Sequence, residues 1–147
     1  MVNKKFIKRK IELIQKELID LKKLSQYSFQ EIVSDFLKQN ALERILEKII
    51  IRAIDINQHL VVELFRKEIE SPKDYKETFL RLIELKVYSE DFGKSISKSV
   101  GTRNILVHEY DKIDYSQIYS SIKDCLKDYH QYCDYILKFL EKSEIRR

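Results

Sequence analysis

The sequence predicts an all-α protein, an antiparallel bundle of four or five helices forming one domain over residues 1–147. Three observations carry that expectation. Only Gly 2 and Pro 1 occur in 147 residues, too few chain breakers for the many turns of a sheet protein. Apolar residues recur at spacings of three and four over long stretches, the period of a helix with one buried face. Hydrophobic residues are 44% and charged residues 35%, a globular rather than a disordered composition, and the length suffices for a real core.

The elements follow in order. A first helix is expected from about Asn3 to Leu24, with Ile7, Ile11, Ile14, Leu18 and Leu21 as its buried stripe and Lys and Glu on its other faces. Ser25 to Phe36 is less regular, but Ser28 followed three residues later by Glu31 is a capping-box signature, so a short helix starts there. Asn40 is read as the cap of a second long helix, Ala41 to about Glu68, with Leu42, Ile45, Leu46, Ile49, Ala53, Ile56 and Leu60 on its apolar face. Ser71-Pro72 breaks the chain and suits Pro72 to the first turn of a third helix, which carries Tyr75, Phe79, Leu82 and Ile83 inward and runs to about Val87. Ser89 caps a fourth, with Glu90 and Asp91 at its positive end and Phe92, Ile96 and Val100 inside. Asp111 to Asp114 reads as a turn. Asp114 then caps a last long helix, Tyr115 to about Lys142, whose stripe includes Ile118, Ile122, Cys125, Tyr129, Tyr132, Cys133, Ile136 and Leu140. Its tyrosines are read as core or interface. The sequence carries no internal repeat or low-complexity tract, and no second domain is expected within it.

No stretch approaches the roughly 20 apolar residues of a membrane span; the run Ile49-Ile50-Ile51 stops at Arg52. Lys4, Lys5, Lys8, Arg9 and Lys10 open the chain with no apolar signal core behind them, so a cytoplasmic protein is expected. The Lys/Arg cluster is either a solvated helix end or a surface that steers phosphate. Cys125 and Cys133 lie on one helix with Cα atoms about 12 Å apart, beyond the roughly 7 Å limit of a disulfide, and read as apolar fillers. A formal net charge of +4 is compatible with RNA without demanding it.

The chemistry concentrates in Val100-Gly101-Thr102-Arg103-Asn104-Ile105-Leu106-Val107-His108-Glu109-Tyr110. Cutting RNA without a metal requires deprotonation of a ribose 2′-OH, stabilisation of the charge that builds on phosphorus, and protonation of the departing 5′-oxygen. Histidine suits both proton transfers, and the arginine fork matches phosphate oxygens. On a regular helix, however, Arg103 and His108 stand roughly 140° apart, while Asn104 and His108 share a face. Convergence requires a helix that loosens before His108, which Gly101 favours, or a cleft formed with a second molecule, whose backbone Gly101 lets approach closely. From the residues alone a blander arrangement stays open, with His108 capping a helix end and Arg103 on the surface. Asp55 and His59, four apart, share a face and form either a surface pair or part of a cleft lining.

The segment Arg103 to Tyr110 resembles the RX4HXY motif of HepT-type toxins in the HEPN superfamily of all-helical, largely RNA-cleaving domains. Gln39 to Leu46 with Asp55 and His59 resembles that family's second helix, and Tyr75 to Leu85 its third. The resemblance implies a metal-independent endoribonuclease without a cofactor, catalysed by Arg103 and His108 in a homodimer whose two motifs face one cleft. It implies that Asn104 supports them by orienting phosphate or imidazole, with Asp55 and His59 carried as possible cleft-lining residues. It further implies that Tyr110 receives AMP from a minimal nucleotidyltransferase (MNT) antitoxin of a type VII toxin–antitoxin pair, adding charge and bulk that block RNA. Two rivals accompany that expectation. One is a catalytically silent nucleotide- or RNA-binding module that docks a nucleotidyltransferase; the other is a helical adaptor using the tyrosine-rich last helix.

Overall fold

A computed structural model describes residues 1–65, 74–108 and 113–145, with the backbone alone described at His108 and at 143–145. The described residues form seven helices and no strand: α1 (Lys4–Leu24), α2 (Phe29–Val33), α3 (Phe36–Phe65), α4 (Tyr75–Glu84), α5 (Glu90–Ser97), α6 (Ser99–His108) and α7 (Tyr115–Ile145). They make the all-α bundle that the periodicity predicts. None is long and apolar enough to cross a membrane. Pro72 and the first half of the expected turn, Asp111 and Lys112, lie outside the described residues.

The caps explain most boundaries. The Asn3 side chain accepts from the Phe6 amide to start α1. Ser28 and Glu31 close the capping box of α2. Asp74 accepts from Glu77 N–H to start α4, and Ser89 from Phe92 N–H to start α5. The expected cap at Asn40 is overturned: α3 starts at Phe36, because Asp35 accepts from the Leu37 and Lys38 amides at 2.9 and 3.3 Å and pairs with Lys38 at 2.8 Å. Phe36 and Leu37 are 72% and 75% exposed, so this first turn adds nothing to the apolar stripe by which the helix was recognised. The third helix also ends earlier than Val87, at Glu84. Lys86 takes a left-handed φ of 62°, and the amides of Lys86 and Val87 return to the carbonyls of Ile83 and Leu82. This is a Schellman ending closed over the buried Val87.

The stripe of α1 is fully buried, from Ile7 to Leu21. Its partner α3 is buried on more than the one face expected, since Ile50, Ile54, Asn57 and Val61 join Leu42, Leu46, Ile49, Ala53, Ile56 and Leu60 in the interior. The two run antiparallel. Asn3 meets His59, Lys10 meets Asp55, and the buried Glu17 takes three bonds from Arg52, at 2.7, 3.0 and 3.2 Å, with Lys48 at 3.8 Å. A buried carboxylate held by a guanidinium fork tolerates only one register between these helices. α7 packs on α1 and, antiparallel, on α5. It reaches α3 through tyrosine hydroxyls, Tyr115 to Glu43 and Tyr132 to Asn57, both 2.5 Å. Tyr129 and Tyr132 are core residues, as expected of the last helix. Cys125 and Cys133 are free and buried, and burial pushes both thiols up to about 12.

α4 and α5 form a tight antiparallel hairpin. Gly93 lets them approach: a Cβ there would lie 2.5 Å from Ile83 Cδ1. The hairpin returns the end of α5 to the start of α4, where the cleft described next opens.

Lys86→Gly is expected to raise the unfolding free energy by about 1 kcal/mol, by relieving the left-handed backbone. Gly93→Ala is expected to lower it by about 1–2 kcal/mol, overpacking outweighing roughly 1 kcal/mol of helix propensity. Urea unfolding followed by circular dichroism measures both, and a stabilising Gly93→Ala would contradict the packing described.

Candidate functional site

The predicted fourth helix is divided, and the division shapes the site. α5 stops at Ser97, Lys98 is its C-cap, and α6 starts at Ser99. The hydroxyls of Ser97 and Ser99 each donate to the carbonyl three residues back, at 2.8 and 2.7 Å, and the Lys98 and Gly101 amides make short-span bonds to Ser95 and Lys98. Side-chain competition for helix carbonyls bends helices in this way. Ser99 Oγ also lies 2.7 Å from the Tyr129 hydroxyl, which pins the bend to α7.

Gly101 is therefore not the break. It sits inside α6 with no positive φ and nothing within 4 Å of where a Cβ would be. The helix is continuous from Ser99 to His108, so the loosening between Arg103 and His108, one of the two routes to convergence, does not occur. A straight helix keeps the two positions roughly 140° apart and puts His108 in line with Asn104.

Arg103 faces a cleft of about 630 Å³ formed by the start of α4, the end of α5 and the first turns of α6. Its guanidinium carbon lies 4.9 Å from the centre of the Tyr75 ring, within cation–π range. Its Nε is buried and has no hydrogen-bond partner among the described residues. Lys76 and Lys98 line the same cleft, so three cations meet one carboxylate, Asp74, already engaged in capping α4. Gly101 forms part of the wall, and Asn104 lines the cleft from an exposed position. The result is a small basic recess, of a size and charge to hold a phosphate with its neighbouring groups.

The opposite flank of α6 is different. There Thr102 and Ser99 face Asp124 and Asp128 of α7 across a space of about 170 Å³. Burial holds the Asp128 carboxyl above its usual range while it accepts from Ser95 Oγ at 3.2 Å. Lys98 lines this space too, so the two carboxylates here meet a cation that the Arg103 cleft shares.

Not all of the residues singled out in the sequence gather here. Asp55 Oδ2 accepts from Lys10 Nζ at 2.9 Å, and His59 Nε2 accepts from the Asn3 amide at 2.8 Å with its ring 5.3 Å from Phe6. They share a face, as their spacing requires, but that face meets α1. Neither lines the Arg103 cleft. The His108 side chain and Tyr110 lie outside the described residues. Among the described residues, no three His, Cys, Asp or Glu side chains come together as ligands for a metal ion.

Sequence reasoning missed Lys76 and Lys98, and it read Tyr75 only as an inward residue. No local pattern marks them, because they reach Arg103 through the hairpin rather than through spacing.

Comparison with known proteins places these features in context. Residues 14–136 match the family described as Ribonuclease HepT-like. The tRNA nuclease HepT of Aphanizomenon flos-aquae is 37% identical over 136 residues, covering 91% of this chain and 89% of that protein. The mRNA nuclease HepT of Shewanella oneidensis is 25% identical over 130 residues, covering 88% and 90%. A solved structure of the tri-AMPylated Shewanella oneidensis HEPN toxin in complex with an MNT antitoxin superposes with a TM-score of 0.79 at 22% identity, covering 92% of this chain and 98% of that one.

Proposed function

Because this chain belongs to the HepT-like ribonuclease family, we propose that it is a HEPN toxin, an endoribonuclease that cuts RNA without a metal and is silenced by an MNT-type antitoxin. The observation that carries this reading is the basic cleft around Arg103, on the same helix that ends in His108. His108 takes the proton from a ribose 2′-OH; the oxygen attacks phosphorus, the P–O5′ bond breaks, and the proton passes to the departing 5′-oxygen. The products are a 2′,3′-cyclic phosphate and a 5′-hydroxyl. Arg103 stabilises the negative charge that grows on the phosphoryl oxygens, and the exposed Asn104 orients the phosphate or the imidazole.

The unbroken helix supports a homodimer. On one copy of α6 the two positions stand roughly 140° apart, whereas two copies facing each other would set the Arg103 position of one chain towards the His108 position of the other. The whole chain acts as one domain in this assembly. Tyr110, two residues beyond His108, is the switch: its phenolic oxygen attacks the α-phosphorus of ATP in the antitoxin's active site, AMP is attached and pyrophosphate leaves. The added phosphate repels RNA beside the catalytic pair.

Purified protein incubated with cellular RNA in EDTA is expected to yield fragments ending in cyclic phosphate. Arg103→Ala and His108→Ala are each expected to lower the rate by about 100-fold or more with the dimer intact by light scattering. Undiminished cleavage by His108→Ala removes the assignment. RNA bound without fragments, by protein unmodified at Tyr110, favours a silent binding module instead. Lys98→Ala is expected to weaken RNA binding and to make the slope of log K against log salt shallower by about one, measured by fluorescence anisotropy from 50 to 200 mM salt. Incubation with the antitoxin and ATP is expected to add one or more adenylyl groups by mass spectrometry and abolish cleavage, and Tyr110→Phe to escape that inhibition.

A further inference from the structure

Arg103 must be held in place for its charge to meet a phosphate. Its Nε donor is buried with no acceptor in reach among the described residues, which also place no carboxylate against the guanidinium. A buried donor without an acceptor is costly, so another contact must offset it. That contact is the face of Tyr75, 4.9 Å from the guanidinium carbon. Stacking engages the plane of the guanidinium and leaves its in-plane donors free. With Nε shut in, the terminal amino groups are those left to meet a phosphate oxygen from the cleft.

Tyr75 is itself anchored from the core. The Thr78 hydroxyl donates to the Tyr75 carbonyl at 2.7 Å. Thr78 in turn accepts from Asn57 Nδ2 at 3.2 Å, and Asn57 Oδ1 accepts from the Tyr132 hydroxyl at 2.5 Å. Asn57, Thr78 and Tyr132 are all fully buried. This directional chain crosses from α7 through α3 to the first turn of α4, tying the backbone that carries the ring to the bundle's interior. Fully satisfied buried polar chains of this kind specify a single arrangement.

We propose that Tyr75 is the positioning residue for Arg103: its ring clamps the guanidinium, and the Tyr132–Asn57–Thr78 chain sets where the ring stands. The proposal rests on the reading of Arg103 as the phosphate-stabilising residue. It makes the ring face the working part. No described residue bonds the Tyr75 hydroxyl, so phenylalanine serves as well.

The test is a double-mutant cycle on RNA cleavage, read as kcat and KM at a temperature well below each variant's unfolding midpoint. Tyr75→Leu is expected to lower kcat about tenfold with KM changed less than twofold, and Tyr75→Phe to restore the wild-type kcat. In an Arg103→Ala background, Tyr75→Leu is expected to have no further effect. If Tyr75→Leu does not stay folded, Tyr75→Met takes its place with the same expectations. Wild-type kcat in the leucine variant, a lower Tm with unchanged kcat, or full additivity with Arg103→Ala would each overturn the proposal. Wild-type cleavage by Arg103→Ala alone would instead bring down the parent reading, so the two failures are distinguishable.

Discussion

The fold depends on covering α3. Thirty residues long, it buries apolar side chains over more than one face, and a helix of that kind is stable only with neighbours on several sides. α1 covers one side. α4 and α6 cover another, and α2 closes the lower end. The packing is not left to apolar surface alone. Glu17 in the grip of Arg52 sets the register of α1 on α3, and Asn57, the buried polar exception on α3, sets where α4 and α7 sit. Each of these groups is satisfied, so each favours one arrangement over its slipped neighbours.

The site inherits its geometry from that arrangement. Asn57 holds Thr78, Thr78 holds the carbonyl of Tyr75, and the Tyr75 ring lies on Arg103. The α4–α5 hairpin, turned by the left-handed Lys86 and drawn tight at Gly93, brings Lys98 to the start of α4. The serine-assisted bend at Lys98 then re-aims α6 so that Arg103 and Asn104 line one basic recess. A continuous helix from Ser89 onward would follow one axis and present these residues in another direction. Charge accumulates in the recess because its one carboxylate, Asp74, is used as a cap.

Much of this was legible in the residues. The stripe from Ile7 to Leu21, the capping box at Ser28, the cap at Ser89 and the buried tyrosines of α7 are local signals, and local physics produces them. The start of α3 was not legible, because Phe36 and Leu37 carry no buried face and Asp35 acts through short-range bonds that periodicity does not register. Gly101 drew attention as a breaker, yet the bend falls three residues earlier, where serine hydroxyls compete for carbonyls. Asp55 and His59 were correctly placed on one face, but the spacing could not say that this face belongs to α1.

By itself the sequence determined the helices, their order, the faces they bury, and the position of an arginine and a histidine five residues apart on one of them. Those properties depend on dihedral preference and on the helical period, which act over a few residues. Only the tertiary structure decided that Tyr75, Lys76 and Lys98 surround Arg103 and that Asp55 and His59 do not. The physical reason is that side chains on different helices meet according to relative rotation and register. These are set by bonds such as Glu17 to Arg52 and Tyr132 to Asn57, between groups 35 and 75 residues apart in the chain.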